Sequence, residues 1–500
     1  MKFQKIKSFV VVLMLICLLI PPLTVFAVNS VNTEQALSEE QKYAIQTLIS
    51  DAQRISRVPG ISVSVVQGDE THFFSTGLAN REVETSADEE TLWELASVSK
   101  MFTALGLLYL EEQGLLSLND SIADHLPWLT FRYNGQPLNM QEMRLYHFLY
   151  HTSGITQRHP NRVQDRPGPD TLQSTVEALI DAELTFFPGE KFDYGTKNYN
   201  VLGLVIAGVA GQSYESFMEE RIFQPLGLTQ TFANRDHAEA TGQLAQGYVT
   251  NFVFWNTPVD SQESRGSVPT GYIISSTRDM ARFMRIQLGL VTDIPEIFTS
   301  LIPKTHIGNQ AVSAEYAWGL GYIYYAAGWM VHSDESRVEH SGGNPSFATH
   351  VLLLPEKHVG VTVLSNAPAI NTVSVAENIT NILEGNLGAR YSMFIIQIVD
   401  IAASALIVLA GVLTFLFIRM GLRRKHRNIK HPITKKRIAL IVVWAVITLI
   451  IGVLTALNLS IFLSHAVYSQ LTGLIMLMLL SASITWFVTT PKRKKQPHNN

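Results

Sequence analysis

Three long apolar runs near the C-terminus constrain this chain more than any other feature. Residues 401–418, 438–457 and 471–488 carry no charged side chain over 18, 20 and 18 positions. Each is long enough to cross the hydrocarbon core of a bilayer, which takes about 20 apolar residues in a helix. Between the first two runs, residues 419–437 hold nine Lys or Arg and no acid. The tail holds Lys492, Arg493, Lys494 and Lys495, whereas 458–470 has no Lys or Arg. Basic residues mark the cytoplasmic side of spanning helices. The pattern therefore predicts a cytoplasmic C-terminus and an exported stretch before the first span. Buried core helices are the alternative, and the charge asymmetry argues against them.

The N-terminus agrees. Lys2, Lys5 and Lys7 precede the apolar run Phe9–Ile20, and Val25-Phe26-Ala27 offers a small-residue cleavage site, so 1–27 reads as a signal peptide. An uncleaved anchor helix is its alternative. Cys17 is the one cysteine, and Ile16 stands before it where a lipidation site needs a small residue. The exported domain is thus expected to fold without disulfides. A formal charge of −4 over 500 residues gives no basic footprint for a nucleic-acid partner. The expected organisation is a signal peptide at 1–27, an extracytoplasmic domain at 30–390 and a membrane domain at 394–490. Its helices would lie at about 398–418, 438–457 and 470–488 of a multi-pass protein of the cell membrane.

Within the exported domain, Ser38 and Gln41 form a capping box that should open a helix running to about Ser56. Ile61 to Val65 alternates apolar and polar, and Gly68-Asp69 then turns into a second strand near His72–Thr76. Helical spacing follows Ser97 as far as Gly114, and returns around Tyr199–Gly211 and Ser276–Leu288. Tyr322–Tyr325, Thr349–Leu354 and Val359–Leu364 read as strands. Strands at both ends of a domain with helices between predict one antiparallel sheet built from both termini, in an α/β fold with a helical subdomain.

Ser97-Val98-Ser99-Lys100 is the one S-x-x-K in the chain. It opens a helix read as amphipathic, so Lys100 falls one turn along on the face of Ser97, and the helix N-terminus favours negative charge there. A hydroxyl is a weak nucleophile until a neighbour takes its proton, and a desolvated lysine can do so. A capping serine beside a solvated lysine is the bland alternative. No His/Cys/Asp cluster has metal-ligand spacing, so neither metal nor cofactor is expected.

Glu94-Leu95-Ala96-Ser97-Val98-Ser99-Lys100 resembles the nucleophile motif of serine β-lactamases and penicillin-binding proteins. Three further segments are similar to the class C β-lactamase-like branch and come in its order: Leu149-Tyr150-His151-Thr152-Ser153-Gly154, the loop Phe192-Asp193-Tyr194-Gly195-Thr196-Lys197-Asn198-Tyr199, and Glu339-His340-Ser341-Gly342-Gly343. Gln224-Pro225-Leu226-Gly227 also follows where that branch has it. The resemblance implies a β-lactamase-like fold, with Ser97 as nucleophile and Lys100 and Tyr194 sharing the acid–base work. It implies an oxyanion hole from the N–H groups of Ser97 and Gly343, His340 lining the site, and His151 in a supporting part. The family's tyrosine loop is Tyr-x-Asn, but this chain has Tyr194-Gly195-Thr196. Threonine cannot replace both polar functions of a carboxamide, which argues against dedicated β-lactam hydrolysis. Asn198 stands two residues too far along to substitute.

A narrower resemblance is to membrane-bound prodrug-activating D-asparaginyl peptidases, such as the colibactin-maturing type. These carry three C-terminal membrane helices, a small hydroxyl residue at the position of Thr196 and an Asn-Pro-x-Phe matched by Asn344-Pro345-Ser346-Phe347. Phe131 to Pro137 is similar too. Ser267 replaces a histidine of theirs. The resemblance implies cleavage of amide bonds next to a D-residue, with Thr196, His340 and Asn344 binding substrate and an N-acyl-D-Asn cap as leaving product. The implied partners are a small peptide or peptide–polyketide, the bilayer and an export transporter. A D,D-carboxypeptidase, a D-amino-acyl esterase, a β-lactamase and a β-lactam sensor without turnover are the alternatives.

Overall fold

The computed structural model describes residues 36–393 except 158–170, 252–254, 260–265, 309–313, 316–321, 333 and 335, together with single positions 412, 415 and 419. The predicted signal peptide lies outside the described residues, and so do the three predicted spans apart from Val412 and Phe415. Among the described residues no single helix is long and apolar enough to cross a membrane. One pair of helices bent by 78°, Lys197–Ala210 with Tyr214–Phe223, has the length and apolar composition of a broken span. Its side chains Val201, Leu202, Ile206, Phe217 and Ile222 belong to the buried core.

A nine-stranded sheet runs in the order Ala314–Glu315, Tyr322–Tyr325, Met330–His332, Val338–Gly343, Ala348–Leu354, Val359–Ser365, Gly60–Gln67, Glu70–Asn80, Thr85–Ser86. Its pairings are antiparallel, and Val63 sits opposite both Val363 and Phe74. Strands from the two ends of the domain thus lie side by side, as the sequence pattern predicts. The Ile61–Val65 alternation, though, marks a strand buried on both faces. Ile61, Val63 and Val65 join one core, Val66 joins the other, and Ser62 and Ser64 are fully buried. Ser62 is satisfied by Ser75 Oγ and the Asp88 carbonyl.

Helices Glu39–Ser56 and Thr372–Leu383 cover one face, with Ile45, Ile49, Val375 and Ile379 against Val63 and Val361. The capping box at Ser38 is present in both directions, with bonds of 3.2 and 3.0 Å. Such a cap contributes about 1 kcal/mol, while each fully buried aliphatic side chain contributes roughly 1.5–3 kcal/mol. Packing, not capping, holds this helix in place.

The other face carries the helical subdomain, including Ser99–Glu112, Lys197–Ala210 and Thr277–Gln287. Ser99–Glu112 is not amphipathic as expected: every residue from Ser99 to Leu108 is buried. A helix enclosed on all sides needs apolar residues all round, and its polar members find internal partners. Ser99 Oγ accepts from Ile273 N–H, and Thr103 Oγ1 donates to the Pro269 carbonyl.

Candidate active site

Ser97 lies in a 3-10 turn, Ala96–Val98, that runs directly into the buried helix Ser99–Glu112. Ala96 has φ of 47°, a left-handed conformation that a non-glycine residue adopts at a cost of roughly 1–3 kcal/mol. The turn leaves Ser97 partly exposed between two buried neighbours. One turn on, Lys100 Nζ donates to Ser97 Oγ at 3.1 Å and to the Thr270 carbonyl at 2.7 Å. Lys100 is fully buried, and these two bonds go to a hydroxyl and a carbonyl rather than to a carboxylate. Burial disfavours the ammonium form and pulls its pKa from 10.5 down to about 7. A neutral amine at this distance can accept a hydroxyl proton.

The tyrosine loop comes over the same lysine. Lys100 Nζ lies 5.2 Å from the centroid of the half-buried Tyr194 ring and 5.8 Å from that of Tyr199. Beneath Tyr194 lies His151, its ring tilted by 39° at 4.4 Å between centroids. His151 Nδ1 accepts from Gly195 N–H at 3.3 Å and meets Asn198 Nδ2 at 3.1 Å. Asn198 also donates to the Ile155 carbonyl and accepts from Ser153 Oγ. Its carboxamide is spent inside the protein, tying the His151–Gly154 segment to the Tyr194 loop. Burial, then the charge of Lys100, pushes His151 well below its ordinary pKa, so it acts as a neutral strut. The supporting part expected for His151 is what the contacts describe.

Opposite Ser97 runs the strand Val338–Gly343. A Cβ at Gly342 would stand 2.6 Å from the Leu95 carbonyl oxygen, 3.0 Å from Ala96 Cβ, and on Thr349 Oγ1 as well. Only glycine lets the strand and the serine turn approach this closely. At Gly343 a Cβ would meet nothing within 4 Å, so that exposed position looks onto open space.

The three residues expected to bind substrate fare differently. Thr196 is half-buried; its N–H donates to Gln157 Oε1 and its carbonyl accepts from Thr270 Oγ1. His340, expected to line the site, is 1% exposed. Its Nδ1 lies 2.7 Å from the Ser341 carbonyl and its Nε2 3.3 Å from Tyr325 OH. Burial, with Lys100 nearby, lowers its pKa to about 3. It underlies the Tyr194 and Tyr325 rings rather than facing outward. Asn344 is engaged within the protein. Its Oδ1 accepts from Ser346 and Phe347 N–H, and its Nδ2 donates to Glu94 Oε2 at 2.6 Å. The same carboxamide thus closes the turn after Gly343.

Two participants escaped the sequence reading. Thr270 supplies a carbonyl from the short helix Val268–Gly271, and a backbone acceptor leaves no side-chain signature. Glu94, seen as part of a motif without a role, is fully buried and forms an ion pair with Arg235 at 2.6 Å.

Protein flp of Staphylococcus aureus (strain MRSA252) is 30% identical over 338 residues, covering 66% of this chain and 64% of that protein. Penicillin-binding protein 4* of Bacillus subtilis (strain 168) is 27% identical over 351 residues, covering 66% and 73%. The octameric penicillin-binding protein homologue from Pyrococcus abyssi superposes with a TM-score of 0.61 at 25% identity, over 70% of this chain and 79% of that one. A β-lactamase/D-alanine carboxypeptidase from Pseudomonas syringae shares the fold, with a TM-score of 0.57 at 21% identity, over 69% of this chain and 99% of its own. The Beta-lactamase family profile matches residues 45–384, and the chain belongs to this family of serine hydrolases.

Proposed function

We propose that this chain is a serine hydrolase working through an acyl-enzyme on Ser97, held at the outer face of the cell membrane by its C-terminal spans. The observation that carries the reading is the 3.1 Å approach of the buried Lys100 amine to Ser97 Oγ. Ser97 Oγ attacks the carbonyl carbon while its proton passes to Lys100, with Tyr194 sharing the transfer. The oxyanion that forms is met by the N–H groups of Ser97 and Gly343. Collapse breaks the C–N bond, and the departing amine takes up the proton. Water then attacks the acyl-enzyme, releasing an acid and restoring Ser97.

The substrate class is an amide bond next to a D-residue, and its finer form is removal of an N-acyl-D-Asn cap from a peptide or peptide–polyketide. The three apolar C-terminal runs and the hydroxyl of Thr196 support the finer form. One observation favours a second reading, a D,D-carboxypeptidase: Asn344 has its carboxamide engaged by Glu94 and the turn backbone. The names of the Bacillus subtilis and Pseudomonas syringae relatives fit that alternative. Turnover of an N-acyl-D-Asn amide should be compared with that of a D-Ala-D-Ala peptide and of benzylpenicillin, using the full chain. Faster cleavage of the D-Asn substrate is expected. Faster cleavage of D-Ala-D-Ala would replace the cap-removing reading with the cell-wall one.

A further inference from the structure

We infer that Glu94 is a positioning residue that fixes the two halves of the oxyanion hole relative to each other, an inference that rests on the acyl-enzyme reading above. The two N–H donors come from distant parts of the chain. One belongs to Ser97, three residues after Glu94. The other belongs to Gly343, the residue before Asn344. A single carboxylate bridges them: Glu94 Oε2 accepts from Asn344 Nδ2 at 2.6 Å, while Oε1 accepts from Arg235 Nη1 at 2.6 Å.

Each end of the bridge is anchored. Glu94 ends the strand Leu92–Glu94, which pairs with Ile274–Ser276 in a small sheet below the serine turn. Asn344 binds the N–H groups of Ser346 and Phe347, which fixes the turn joining Val338–Gly343 to Ala348–Leu354. Arg235 opens the helix Arg235–Ala240 and also pairs with Glu239.

The energetics set this contact apart from ordinary packing. A carboxylate with no exposed surface is costly to desolvate, and it persists where charged and polar partners compensate it. Hydrogen bonds to an ionised group are short and stiff. That stiffness matters here, because Gly343 itself has no side chain with which to hold its N–H in line. Without the bridge, Gly342 would still abut Leu95 and Ala96 and Asn344 would still close its own turn, but that turn, and the Gly343 amide with it, would lose its tie to the strand that leads into Ser97. An oxyanion donor is effective only when preorganised on the developing charge.

The test uses the full-length chain with p-nitrophenyl acetate for turnover and phenylboronic acid as a mimic of the tetrahedral adduct. Glu94→Gln presents an amide N–H to one of two donors and breaks the bridge. It should lower kcat about 10- to 100-fold and weaken the boronate by a similar factor, with KM within about threefold, the split expected when a transition-state contact is lost. The double variant Glu94→Gln/Asn344→Asp rebuilds the bridge with donor and acceptor exchanged, and should recover most of kcat. Should Glu94→Gln fail to fold, Asn344→Asp alone replaces the Nδ2 donor while keeping Oδ1 on the Ser346 and Phe347 N–H groups, and should show the same kcat-selective loss. Wild-type kcat and boronate affinity in the single variant, or a loss that the double variant does not recover, overturns the inference. Ser97→Ala serves as the separate control, since turnover surviving there would instead sink the acyl-enzyme reading.

Discussion

Lys100 Nζ donates to Ser97 Oγ at 3.1 Å from a site with no solvent exposure. A lysine that is half deprotonated near pH 7 is poised to work as a base under ordinary conditions, whereas one with the ordinary value of 10.5 would be almost wholly charged. The acylation rate should therefore rise with pH along a single limb centred near 7. Lys100→Arg, which stays protonated, should abolish that limb and cost orders of magnitude in rate. A flat profile for the parent enzyme from pH 5 to 9 would remove Lys100 from the proton-transfer step.

The same shift has a stability consequence. Unfolded, Lys100 keeps its proton up to about 10.5; folded, it loses it near 7. Between these values the unfolded chain binds more protons, so this group makes stability rise with pH across that window. Below pH 7 both states are charged and the burial penalty is felt in full. Lys100→Met should therefore stabilise the fold most below pH 7, with the advantage shrinking towards pH 10. Denaturant midpoints at several pH values check this.

Nucleophile and acid–base partner should separate in labelling experiments. Ser97→Ala should lose all reaction with a fluorophosphonate probe. Tyr194→Phe should keep the site but lower turnover by about 10²–10⁴, the usual span for a general acid–base group. Labelling of another residue in Ser97→Ala would redirect the search for the nucleophile.

How much of this was readable from the sequence follows from the range of each interaction. The Ser38 cap, the Gly68-Asp69 turn and the Ser97–Lys100 spacing are encoded within a few residues, and they appear in the structure as read. The neighbouring of Gly60–Gln67 and Val359–Ser365 was legible because apolar β-patterns stood at both ends of the domain. The bond that engages Asn344 had no signal in the sequence, because its partner Glu94 lies 250 residues away. The burial of His340 had none either, because strand alternation does not reveal which face the Tyr325 and Tyr194 rings enclose. Ser62 and Ser64, read as the polar face of a strand, are buried by helices whose docking no local pattern specifies.

Orientation in the membrane can be tested chemically, since the one native cysteine, Cys17, is easily removed. In a Cys17→Ala background, a cysteine at Ser38 or at the exposed Asn386 should react with an impermeant maleimide on intact cells. One at Asn428, within the basic 419–437 loop, should react only after lysis. The reverse pattern would turn the protein over and put Ser97 in the cytoplasm.

The paired glycines of the Val338–Gly343 strand should behave oppositely, although they are adjacent and chemically identical. A methyl at position 342 meets the Leu95 carbonyl at 2.6 Å and Ala96 Cβ at 3.0 Å, both backed by a fully buried chain. Neither is the free end of a flexible side chain, so the strand must lift off the serine turn. Overpacking of this kind costs roughly 1–3 kcal/mol, and the displacement falls directly on the geometry between Ser97 and the Gly343 amide. Gly342→Ala should thus lose both stability and most of kcat. A methyl at 343 meets nothing within 4 Å, so Gly343→Ala should unfold at the parent's denaturant midpoint and keep its fluorophosphonate labelling. Equal losses in the two variants would mean that the approach of strand to turn does not control the site.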